Sequence, residues 1–219
     1  MAGSVGNQLL YEDKLIFLVD GFFNLDWCYN RINNTTGSFY NGVTYTTDRG
    51  MNFDGVNDYF EYNINMPASF TYTIVAKSNT PTWSNYAGLG SSRTSQGFII
   101  HNNIGNTTIT DYIYNTSTVT YAVSNYNVLN IANSIEDNNI YTLSTNQVTH
   151  TMYINGVKAG ERTYPVTRLS TNMNIQFARD YNLARYNNIN IKHLSMYNDK
   201  LTDDEVYTLH SNLRKRIPL

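Results

Sequence analysis

Hydrolysis of a glycosidic bond needs two carboxylates on one face, which on a strand means spacing i, i+2 or i, i+4. The acidic pair Glu136-Asp137 in "SIEDNNIY" is adjacent, so on a strand the two side chains would point to opposite faces; it reads as a polar turn. Asp203, Asp204 and Glu205 have a local explanation as the start of a helix. His101, His150, His193 and His210 are scattered without metal-ligand spacing and read as satisfied surface or core residues, with no metal expected. Cys28 is the sole cysteine, which rules out an intrachain disulfide; without a local partner pattern it reads as a small buried hydrophobe. No Gly-x-Ser-x-Gly occurs, and "GLGSSRTSQG" lacks the Lys-Ser/Thr sequel of a phosphate cradle, so it reads as a loop. Neither catalysis nor a cofactor is expected.

Binding chemistry has more support. Sugar sites pair an aromatic platform with Asn, Asp or Arg side chains that hydrogen-bond hydroxyls. Two loop-like segments have that composition. "TPTWSNYAG" carries Trp83 and Tyr86, and "ARDYNLARYNN" carries Arg179, Asp180, Tyr181, Arg185 and Tyr186. These seven residues are the candidate ligand-binding set. The same aromatics would also suit covering the end of a sandwich or meeting a neighbouring protein.

The elements that must position such residues are mostly strands. With a formal charge of −2 and only 15% charged residues, the polar surface must be built largely from Asn, Thr, Ser and Tyr. That balance gives no field to recruit nucleic acid or an anionic membrane. Strand-like runs recur at short spacing: "KLIFLVD", "SFYNGVTY", "NFDGVNDYFEYNI", "GFIIHN", "TITDYIYN", "VTYAVS", "NIYTLST", "NINIQFAR" and "NINIKHLSMYN". "FTYTIVAK" alternates, with Phe70, Tyr72, Ile74 and Ala76 on one face against Thr71, Thr73, Val75 and Lys77. Asn155-Gly156 predicts a two-residue hairpin pairing Ile154 with Val157, Tyr153 with Lys158 and Met152 with Ala159. One hairpin face would then be apolar (Met152, Ile154, Val157, Ala159) and the other polar. No linker or repeat divides the chain, so one domain over 13–219 is expected behind an N-terminal arm of residues 1–12.

The strong helix signal covers about 202–214. Thr202 and Glu205 make a capping box, Val206, Leu209 and Leu213 form an apolar stripe, and Arg214, Lys215 and Arg216 suit the carbonyl end. The N-terminus lacks the basic and apolar regions of a signal peptide, and no segment has the apolar length of a membrane span. The sequons at Asn34, Asn106 and Asn115 are chance matches in a chain rich in Asn and Thr.

Taken in order, "FDGVNDYFEY", "FTYTIVAK", "THTMYINGVKAG" and "FARDYNLARYNNINIKHLSMYNDKLTDDEVYTL" resemble laminin-G-like domains of the concanavalin A-like lectin/glucanase superfamily. The last stretch is the most specific, with Leu194, Met196, Tyr197, Asn198 and Leu201 before the helix cap. "LIFLVDG…NGVTYTTDRGMNFDGVNDY" is similar to versions in virion proteins of tailed phages. The resemblance spans about residues 13–213. It implies an all-β fold: a jelly-roll β-sandwich of two antiparallel sheets with one short C-terminal helix. It also implies a non-catalytic structural or decorating protein of a phage virion, with capsid or tail proteins as partners and an oligomer admissible. The alternative is a carbohydrate-binding module attaching the particle to glycans or a host surface. The Glu-x-Asp-x-x-Glu pattern of the glucanases is absent, and a glycosidase with other carboxylates is the weakest reading. Lys192 stands where an acidic residue is common, Val75 where Trp is frequent, and Asn187-Asn188 replace a usual glycine, so no calcium site is carried over.

Overall fold

A computed structural model of the 219-residue chain describes residues 10–20, 29–30, 32, 35–45, 50–79, 87–91, 99–103, 106–111, 139–163, 171–180 and 185–217. Trp83, Tyr86 and Tyr181 lie outside them, as do Cys28, Glu136-Asp137 and the expected strand "VTYAVS". Of Asp180 and Arg185 only the backbone is described.

The strands, in chain order, begin with β1 (Leu15–Asp20), β2 (Tyr29–Asn30), β3 (Thr35–Thr36), β4 (Ser38–Tyr40), β5 (Thr44–Tyr45) and β6 (Met51–Asp54). There follow β7 (Tyr59–Met66), β8 (Phe70–Ser78), β9 (Ala87–Ser91), β10 (Ile99–Asn103), β11 (Asn106–Asp111) and β12 (Asn139–Thr145). The last are β13 (Thr149–Ile154), β14 (Val157–Thr163), β15 (Thr171–Phe177), β16 (Arg179–Asp180), β17 (Arg185–Tyr186) and β18 (Asn188–Tyr197), before helix α1 (Asp203–Arg216).

These strands form a jelly-roll sandwich of two antiparallel sheets with one helix, as the sequence predicts. The larger sheet runs β14-β13-β12-β8-β18-β6-β5, and β1 also pairs with β18. The smaller runs β11-β10-β9-β15-β7-β4. Period-2 alternation decides which side chains lie between them. Phe70, Tyr72, Ile74 and Ala76 of β8 meet Phe60, Tyr62, Ile64 and Met66 of β7 and Ile175 and Phe177 of β15 in one buried cluster. Asp54-Gly55 and Asn41-Gly42 both carry the chain from one sheet to the other. The buried Asp58 carboxylate ties them together, accepting from the Gly42 amide at 2.6 Å and the Asp54 amide at 3.3 Å.

The outer face of the larger sheet differs from expectation. Tyr153, placed on a polar solvent face by its alternation, is only 1% exposed. It packs with Val75, Ile140, Val206, Leu209 and Leu213 beneath α1, because the helix stripe needs an apolar floor and covers that face. Burying Val206, Leu209 and Leu213 contributes about 1.5–3 kcal/mol each. Between strands and helix lies a ladder of hydroxyls: Thr71 to Ser144, Thr73 to Thr142, and Thr142 to His210 Nε2, all within 2.9 Å. The capping box is present in full, with Thr202 at the N-cap, and the helix runs two residues beyond the expected end.

The hairpin also departs in register. Ile154 pairs with Val157 and Tyr153 with Lys158, but Met152 faces Gly160, leaving Ala159 as the extra residue of a bulge. β14 is the sheet edge, where a bulge twists the strand and blunts edge-to-edge pairing. Val157, assigned to the apolar face, sits at the turn and is 71% exposed. Asn155 (φ 52°) and Gly156 (φ 85°) adopt the left-handed pair the two-residue turn demands. His150, His193 and His210 are all buried. No helix among the described residues is long and apolar enough to cross a membrane.

Candidate functional site

α1 occupies the outer face of the larger sheet, and among the described residues the outward side chains of β4, β7 and β15 make up the outer face of the smaller sheet. Its residues follow from alternation. While Phe60, Tyr62, Ile64 and Met66 of β7 point into the core, Tyr59, Glu61, Asn63 and Asn65 point out. In β15 the outward set is Asn172, Asn174 and Gln176, directly opposite Asn65, Asn63 and Glu61. β4 adds Tyr40 opposite Tyr59.

At one end of this face three tyrosines and an arginine gather. Tyr40 and Tyr59 stack in parallel, with ring centroids 4.2 Å apart and an interplanar angle of 4°. The Tyr186 ring centroid lies 6.2 Å from that of Tyr59, tilted by 41°. The Arg179 guanidinium carbon sits 4.5 Å from the Tyr59 ring centroid and 5.4 Å from that of Tyr186. Such cation–π contacts contribute about 0.5–2 kcal/mol each and fix the planar head of an otherwise mobile side chain.

Local backbone conformation places Arg179. Ala178, at the end of β15, is buried and left-handed at φ 64°, which for a residue with a Cβ costs on the order of 1 kcal/mol. The kink turns the chain out of the sheet into the two-stranded ribbon β16-β17, where Arg179 pairs with Tyr186. The Asn187 amide donating to the Ala178 carbonyl at 2.9 Å closes the ribbon's base. Burial pushes the Tyr59 phenol above its ordinary range; Arg179 opposes this, while Tyr40, Glu61 and Tyr186 add to it. A phenol hydroxyl is a hydrogen-bond donor as well as an acceptor, so Tyr59 has the chemistry to bond a hydroxyl oxygen.

Beside the aromatic end runs a ladder of amides. Gln176 Nε2 donates to Glu61 Oε2, Asn174 Nδ2 to Glu61 Oε1 at 3.4 Å, and Asn63 Nδ2 to Asn174 Oδ1 at 2.7 Å. Glu61 is the one carboxylate among the described side chains of β4, β7 and β15 on this face. The two-carboxylate geometry of glycoside hydrolysis is not assembled by those strands. The described residues contain no group of three or more His, Cys, Asp or Glu able to hold a metal. A cavity of about 40 Å³ between β1 and α1, lined by Leu15, Leu18, His193, Tyr197 and Leu209, has room for water and not for a sugar ring.

Of the candidate residues read from the sequence, Arg179 and Tyr186 are brought together. Their neighbours Tyr40, Tyr59, Glu61 and Gln176 are additions from the fold. The signal for them was present as the polar half of the alternation in "YFEYNINM" and "TNMNIQF". What alternation alone does not supply is that β7, β15 and β4 are neighbours.

No protein-family model and no curated protein matches the chain. Solved structures share its fold. A domain of an extracellular arabinanase from Geobacillus stearothermophilus, in complex with arabinotriose, superposes with a TM-score of 0.73 at 12% identity, covering 90% of this chain and 98% of that one. The binding domain of botulinum neurotoxin serotype D gives 0.72 at 14% identity, over 91% of this chain and 52% of that one. That of Paraclostridial Mosquitocidal Protein 1 gives 0.72 at 19%, over 91% and 52%. The chain thus spans about half the length of these toxin binding domains. At such identities the likeness is one of fold.

Proposed function

We propose that this chain is a non-catalytic glycan-binding module whose site is the cluster of Tyr40, Tyr59, Tyr186 and Arg179 on the open face of the smaller sheet. The observation that carries the reading is the parallel Tyr40–Tyr59 stack with Arg179 held between Tyr59 and Tyr186. Tyr40 remains 36% exposed, so a ring face is available to the apolar side of a sugar, with phenol and guanidinium donors around it. The reading gains support from fold neighbours that are binding domains. Among them are the arabinanase domain in complex with arabinotriose and a botulinum neurotoxin DC binding domain in complex with SialylT.

Placement on a phage particle rests on the resemblance of the N-terminal block to tailed-phage virion proteins. In that setting the module would hang from capsid or tail proteins and hold the particle to glycans or a host surface. A purely decorating role has that resemblance as its support and makes no use of the tyrosine cluster.

The test is binding to immobilised polysaccharides and host-surface glycans by wild type, Tyr40→Ala and Tyr59→Ala. Wild type should bind at least one glycan saturably, and loss of a stacking ring should weaken it roughly three- to tenfold. Absence of glycan binding, with the protein still co-purifying with virions, would overturn the reading in favour of decoration.

A further inference from the structure

The same chain treats its two outer sheet faces differently. Under α1 the polar outward positions of β8 and β12 are Thr71, Thr73, Thr142 and Ser144, short hydroxyls that bond to each other and to the helix connection beside the apolar Val75 and Ile140. On the open face the outward positions of β7 and β15 are Glu61, Asn63, Asn65, Asn172, Asn174 and Gln176. Asn is depleted in strands, where Thr fits a pleated surface better. Solvation alone would be met by Thr, which this chain uses at the exposed strand positions Thr35, Thr36 and Thr44. The amides sit in register across one strand pair, and a planar amide carries a donor beside an acceptor, the pattern presented by neighbouring hydroxyls of a sugar.

We infer that this ladder continues the tyrosine site into an extended groove that takes an internal segment of an uncharged polysaccharide, laid along β7 with one end over Tyr59. This deepens the glycan-binding reading and rests on it. From Tyr59 to Asn65 the strip is about 20 Å long, six residues at about 3.4 Å, which is several sugar units and not one. Tyr59 and Glu61 are half-buried and Asn63 and Asn65 exposed along it, while Gln176, opposite Glu61 on β15, is buried and bounds the strip on that side. The described charges of this surface are Glu61 and Arg179, one of each sign. Glu61 is held by two amides and Arg179 is stacked on two rings. Nothing in that balance selects for an acidic sugar.

The experiment is calorimetric titration of the full chain with linear arabino-, xylo- and malto-oligosaccharides from disaccharide to hexasaccharide, with polygalacturonate and sialyllactose as acidic counterparts. Affinity for one neutral series should rise with length at least to the tetrasaccharide and be insensitive to salt. Asn63→Ala and Asn174→Ala should flatten that rise, each by roughly fivefold at the longer ligands, and their melting temperatures show whether the fold is intact. Affinity that does not grow with length, or that is unchanged in both Asn variants, overturns the groove while leaving the tyrosine site standing. So does tighter, salt-sensitive binding of the acidic ligands. Failure of every neutral series to bind, while an immobilised host-surface glycan is still bound by wild type and lost in Tyr59→Ala, overturns the groove alone.

Discussion

His210 is the residue whose surroundings make the sharpest solution prediction. Its Nε2 bonds Thr142 Oγ1 at 2.8 Å, while Nδ1 is buried with no hydrogen-bond partner among the described residues. A neutral ring tolerates that, because Nδ1 is then a bare acceptor; an imidazolium would bury an unpaired N–H. Burial, with Arg214 adding to it, pushes the His210 ring down to about 4. A depressed histidine binds fewer protons folded than unfolded, so its contribution is intact above about 6.5 and is lost as pH falls towards 4. The loss should be on the order of 3 kcal/mol. Melting curves across that window should fall for wild type and flatten for His210→Leu; parallel curves would show that another group titrates. At this scale the sequence was partly legible. Helix periodicity places His210 on α1, but Thr142, 68 positions away, becomes its partner only through the packing of α1 on β12.

Elements were more legible than residues, because alternation and capping are local. The alternating run of β8, the Asn-Gly turn and the capping box of α1 all followed from short-range chemistry. What escaped was any consequence of one element covering another, as with Tyr153. Its hydroxyl donates to Asp203 Oδ1 at 2.6 Å, so the first turn of α1 is bonded to the hairpin as well as packed on it. Two variants of the hairpin test this arrangement by thermal melting. Ile154→Asp puts an unpaired charge between the sheets and should cost several kcal/mol. Lys158→Glu, at an exposed pair with Glu161 at 3.0 Å, should cost less than about 1 kcal/mol. Equal losses would mean that the faces are misassigned. For the helix itself, Thr202→Ala should lose about 1 kcal/mol, and Leu209→Ala roughly 2–5 kcal/mol. A melting temperature unmoved by Leu209→Ala would detach α1 from the sandwich.

For the whole molecule, the helix and the proposed site lie on opposite outer faces, so a change confined to one face leaves the other untouched. Tyr207 on α1 is 66% exposed, so a bulky thiol-linked label at Tyr207→Cys should leave glycan binding intact, while the same label at Asn63→Cys should abolish it. Loss of binding from both positions would place recognition somewhere other than the open face. The fold class was open to sequence reading because many short alternating runs separated by turn signals mark an all-β sandwich, while the order of strands within each sheet was not. The site was open only at Arg179 and Tyr186, since Tyr40, Tyr59 and the amides are joined by pairings between distant strands.

One of those pairings governs how the chain reaches its fold. β18 is bonded to β8 along one edge, while its other edge is shared end to end by β6, at residues 188–191, and β1, at residues 193–197. The first strand and the sixth therefore have no place in the larger sheet until the eighteenth has been made. During synthesis β8, β12, β13 and β14 can assemble as a meander, but β8 must wait with a bare edge for most of the chain to emerge. Folding should therefore be slow for a domain of this size, in the range of milliseconds to seconds typical of long-range strand pairing. A nascent chain arrested before Asn188 should be recognised as unfinished by chaperones and prone to pair its open edge with another copy.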